Sequence, residues 1–86
     1  MKLKLDFVLR EIAGETLLVP AGKAALDLNG MITLNAMGTA LWNKLPEVEN
    51  EAALVQWVLD EYEVDADTAR ADVSAFLGRL RQLGIV

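Results

Sequence analysis

The chain has 86 residues, 53% of them hydrophobic, a formal net charge of −5, and neither histidine nor cysteine. That length allows one small domain with a modest core, spanning residues 1–86. The acidity opposes nonspecific attraction to phosphate backbones, and the missing residue types remove disulfides, thiolate chemistry and histidine-dependent catalysis.

Lys2 and Lys4 precede an apolar stretch that Asp6, Arg10 and Glu11 interrupt, unlike a secretory signal. No run of the sequence approaches the length and polarity of a membrane span, so a soluble, cytoplasmic domain is expected. Phe7 to Ala13 and Thr16 to Pro20 read as two strands of a hairpin, with Gly14 free to adopt turn geometry that other residues resist. Pro20 ends the second strand or places that end at an edge. Lys23 to Leu28 fits a short strand, a helical turn or a connection, and Asn29-Gly30 signals a turn before a third strand over Met31-Ile32-Thr33-Leu34.

Beyond this strand the period changes. Asn35 can cap a first helix on which Met37, Leu41 and Leu45 recur every four residues, with Trp42 widening the apolar face and Gly38 permitting close packing near its start. A second helix is expected from about Asn50 through Tyr62, with Leu54, Trp57, Val58 and Tyr62 on one packing stripe and Leu59 broadening it. Asp65 can cap the third, whose apolar face holds Ala69, Val73, Phe76, Leu77, Leu80 and Leu83. Val64 can pack on Ala69 as a staple, and Gly84 can stop the helix so that Ile85 and Val86 return to the core or an edge. The expected fold class is α+β: a three-stranded antiparallel sheet followed by three helices, with Phe7, Leu18, Ile32, Leu41, Trp57, Phe76 and Leu80 in the core.

The remaining polar residues offer little chemistry. Glu47, Glu49 and Glu51 form one acidic run, and Asp65, Asp67 and Asp72 accompany the last helix; solvation, capping and the positive helix end account for both groups. Gly14, Gly30 and Gly38 make no phosphate-binding pattern. No bound metal or organic cofactor is expected, and the chain reads as noncatalytic. A small sheet backed by helices presents a strand edge and a helix groove, which favours recognition of an extended peptide. The competing reading is a winged nucleic-acid module using Lys44, Arg70, Arg79 and Arg81, and a third is a structural homodimer.

Leu17-Leu18-Val19-Pro20, Leu28-Asn29, Ile32-Thr33-Leu34-Asn35, Gly38, Leu41-Trp42 and Leu45 follow one another in an order that resembles the PqqD family. The resemblance continues through Tyr62, Val64, Asp72-Val73, Phe76-Leu77, Leu80 and Gly84-Ile85. These small peptide-recognition proteins are associated with maturation of ribosomally made peptides. The resemblance implies a winged helix-turn-helix-like domain, a RiPP recognition element, that takes up a precursor's leader peptide as a strand added beside the third strand. It implies a noncatalytic adaptor or peptide chaperone whose partner enzyme, often a radical S-adenosylmethionine enzyme, modifies the presented core. Carried onto this sequence, the peptide site comprises Met31, Ile32, Thr33 and Leu34 on the strand, with Arg70, Val73, Ser74, Leu77 and Arg81 on the third helix. Where family members often have a short Asp-Gly turn after the first helix, this chain reads Leu45-Pro46-Glu47-Val48-Glu49-Asn50.

Overall fold

The computed structural model describes residues 1–4, 6–22 and 32–86. Met31, the Lys23 to Leu28 stretch and the Asn29-Gly30 turn signal lie outside the described residues. Among the described residues the architecture is α+β, with three strands in the order β1-β2-β3 followed by three helices.

Strands β1 (Phe7–Ile12) and β2 (Glu15–Pro20) form an antiparallel hairpin in which Ile12 lies opposite Glu15. Ala13 and Gly14 make its two-residue turn with φ of 52° and 80°. Positive φ at both positions matches the twist of a hairpin, and Ala13 adopts it despite a Cβ that disfavours that region. On the other side of β2 runs β3 (Ile32–Leu34), antiparallel, with Leu18 opposite Ile32 and Thr16 opposite Leu34. Alternation sends Ile32 and Leu34 inward and leaves Thr33 exposed. Since β3 ends the strand order, its outer backbone edge has no strand partner among the described residues.

All three helices begin as the sequence indicates. Asn35 accepts from the Gly38 N–H at 2.7 Å to start α1 (Ala36–Lys44), Asn50 from Ala53 at 2.8 Å to start α2 (Glu51–Glu61), and Asp65 from Thr68 at 2.7 Å to start α3 (Ala66–Gln82). Each bond satisfies a backbone donor that the first helical turn leaves without a partner. The connection after α1 is a single 3₁₀ turn, Leu45–Glu47, with Pro46 in a first-turn position where its missing N–H costs nothing. α2 stops at Glu61, and Tyr62 is extended (φ −127°, ψ 148°). Tyr62 therefore leaves the helical stripe and sets its ring edge-on against Trp57, with 5.9 Å between centroids, while remaining 39% exposed.

α3 ends in a motif that the final glycine makes possible. Gly84 has φ 75°, its N–H donates to the Arg81 carbonyl, and the Ile85 N–H reaches back to Leu80 at 2.9 Å. This left-handed cap turns the chain so that Ile85 is fully buried, and the Ile85 carbonyl accepts from the Lys4 N–H at 2.6 Å. One core joins Leu18, Ile32 and Leu34 of the sheet to Leu41, Trp42, Leu45, Leu54, Val58, Ala69, Val73, Leu77, Leu80 and Ile85. Phe7, Trp57 and Phe76, expected within it, are only partly buried at its margin. No polar or charged side chain is buried among the described residues, so apolar burial is the main stabilising contribution.

Candidate functional site

β3 leads through Asn35 directly into α1, so one short segment supplies both the outermost strand edge among the described residues and a helix start. Gly38 is the close-approach point: a Cβ there would lie 3.3 Å from Leu34 Cδ2 and 3.2 Å from Asn35 Oδ1. The missing side chain lets α1 pack tightly on the end of the strand. α3 stands across from this corner, and the space between forms an open groove of about 520 Å³. Ile32, Thr33, Leu34 and Asn35 line one side, Met37, Gly38 and Leu41 continue it along α1, and Asp72, Ala75, Phe76, Arg79 and Leu80 form the helical wall.

The partial exposure of Phe76 follows from this position. Ala69, Val73, Leu77 and Leu80 are buried at intervals of four, four and three residues, which defines the core-facing stripe of α3. Phe76 lies just beside that stripe, and its ring lines the groove. Met37 is likewise half-buried, so the groove has apolar material on both walls.

The structure brings Ile32, Thr33 and Leu34 to the groove but distributes the expected α3 residues elsewhere. Val73 and Leu77 have no exposed surface and belong to the core behind the wall. Ser74 is exposed and does not line the groove. Arg70 pairs with Asp67 one turn earlier on the same helix, and Arg81 reaches Glu51 of α2 at 3.3 Å. The groove-facing positions are offset around the helix to Asp72, Ala75, Phe76 and Arg79. In the sequence Asp72 stands out as a carboxylate and as a position of the family resemblance, and Arg79 as one of four dispersed cations; nothing in the local pattern marks their shared wall.

Three ion pairs join charges outside the groove. Lys44 pairs with Glu47 at 3.5 Å and lies 5.8 Å from the centre of the Trp57 ring. Three of the four cations proposed for a nucleic-acid face, Lys44, Arg70 and Arg81, thus sit beside carboxylates. The Thr68 backbone N–H holds the Asp65 carboxyl below its ordinary value, with the Thr68 hydroxyl and Arg70 acting in the same direction. Among the described residues, no three acidic side chains converge as a metal site, and no helix is long and apolar enough to cross a membrane.

The family described as Coenzyme PQQ synthesis protein D (PqqD) matches residues 8–86. The chain belongs to the PqqD family. It is also similar to the solved structure of TbiB1 in complex with the TbiA(beta) leader peptide, at 26% identity and a TM-score of 0.70, covering 99% of this chain and 94% of that one. A lasso peptide synthetase B1 complexed with the leader peptide is 19% identical, again with a TM-score of 0.70, over 98% of this chain and 93% of that one. This second likeness shows a shared fold. No curated protein matches the sequence.

Proposed function

We propose that this chain is a noncatalytic adaptor that binds the leader of a precursor peptide by strand addition on β3 and presents the modifiable core to a separate enzyme. The carrying observation is the outer edge of β3, without a strand partner among the described residues, beside an apolar groove walled by α3. The edge offers backbone donors and acceptors at fixed intervals, so an extended segment gains affinity without requiring a given side chain at every position. The groove selects register: Met37, Leu41 and Phe76 receive apolar leader side chains beside Ile32, Thr33 and Leu34. Membership of the PqqD family and the leader complex of TbiB1 support the same reading.

The modifying enzyme is a separate protein, and a radical S-adenosylmethionine enzyme is one class that fits. Pairing of charged residues near Lys44, Arg70 and Arg81 removes support from a nucleic-acid face. Isotope-labelled protein titrated with synthetic leaders of precursors encoded beside its gene tests the proposal. Shifts confined to Ile32–Leu34, Met37 and Phe76 are the expected result. Saturable binding of those leaders on another surface, or no binding at all, would overturn it. Light scattering across concentration separates the adaptor from a homodimer closed through the same edge, since a constitutive dimer that excludes leader contradicts the adaptor.

A further inference from the structure

The groove carries unlike charges toward the two ends of its helical wall. Asp72 and Arg79 both line it and are exposed. Seven residues make nearly two helical turns, so the two positions share a face about 10.5 Å apart along α3. Ala75 and Phe76 lie between them on the wall, and Met37 and Leu41 line the groove from α1. Neither Asp72 nor Arg79 has an ion-pair partner among the described residues, whereas Lys44, Arg70 and Arg81 each do. Asp72 also lies beyond the first turn of α3, where the helix end gives no reason for an acid.

Resting on the strand-addition reading above, we infer that Asp72 and Arg79 read a charge pattern in the leader. Its recognised segment carries an acidic, an apolar and a basic residue at alternate positions. The carboxylate faces Arg79, the cation faces Asp72, and the apolar side chain enters the groove beside Phe76. Alternate residues of an extended chain point to one side, and the outer two of three such residues are about 13 Å apart. The long arms of Arg79 and of a leader lysine or arginine span the difference from the helical spacing. This pattern supplies direction: the edge pairs better with an antiparallel strand than with a parallel one, and for a leader in that sense only one charge order pairs both charges favourably.

Three synthetic ten-residue peptides of otherwise identical sequence test the inference: Glu-Thr-Leu-Thr-Lys at the centre, the reverse order Lys-Thr-Leu-Thr-Glu, and a neutral form with glutamine at both ends. The two charged peptides share composition and net charge, so the overall acidity of the protein does not separate them. Binding is read from amide shifts at Ile32–Leu34 up to millimolar peptide. One charged order is expected to bind about tenfold more tightly than the other at low salt, with the gap narrowing as salt rises. Asp72→Lys combined with Arg79→Glu should reverse the preference, and Arg79→Gln alone should reduce it about threefold. Groove shifts with equal affinity for both orders, or a preference unchanged in the double variant, would overturn the charge pattern while leaving strand addition standing. No groove shifts with any of the three peptides would count against both.

Discussion

The two sides of α3 show how one helix serves both a packed core and a groove wall. Ala69, Val73 and Leu77 are buried in the common core, while Asp72, Ala75, Phe76 and Arg79 line the groove and Leu80, itself buried, borders both. Leu77 and Phe76 are chain neighbours, yet one is fully enclosed and the other partly open. A step of one residue rotates a helical side chain by about 100°, enough to move it from a packed interior to a groove wall. On α3 the groove wall is built largely on residues whose own burial is incomplete, held in place by the fully buried ones behind them.

The largest expected effect comes from breaking the buried side. Leu77→Ala should cost roughly 2–5 kcal/mol, measured by chemical denaturation, because the side chain is removed from an enclosed site. Leu77→Asp should prevent folding at ordinary temperature, since it buries a charge without a partner. A folded Leu77→Asp protein with near-wild-type stability would break the distinction between the two sides.

Phe76→Ala should cost less, roughly 1–2 kcal/mol, because the ring is only partly buried. The same change should weaken leader binding by about tenfold or more through loss of the aromatic wall. Calorimetric titration alongside thermal melting measures both, and unchanged binding together with a large loss of stability would return Phe76 to the core.

Arg81→Ala sharpens the comparison from outside the groove. Its exposed pair with Glu51 should contribute only about 0.2–1 kcal/mol, and leader affinity should stay within about twofold of wild type. A pronounced affinity loss would extend the recognition surface around α3. The smallest effect is expected at the helix start, where the Asp65 carboxylate is held below its unfolded value of 3.8 by the Thr68 bond. Its folded value is depressed, so its contribution is present above pH 3.8 and lost as pH falls through the lower folded value. Acid melts of Asp65→Asn, which keeps an N-cap acceptor, should lack that part of the pH dependence.

The sequence by itself determined the order of the described elements, the caps at Asn35 and Asp65, the start of the second helix near Asn50 and the glycine stop, because these depend on local spacing and on backbone groups that nearby side chains can satisfy. It also determined the family, through ordered positions spread along the chain. It did not distinguish Phe76 from Leu77, since both fit a broad apolar stripe and only the neighbour opposite each position decides which is enclosed. Nor did it reveal that Arg70 and Arg81 would pair with acids while Arg79 would join Asp72 at the groove. Arg81 meets Glu51 across 30 residues of chain, and the groove joins β3 and α1 to α3 across longer intervals. Such placements follow from helix rotation and the docking of α3 against the sheet, which local propensity leaves undetermined and tertiary packing fixes.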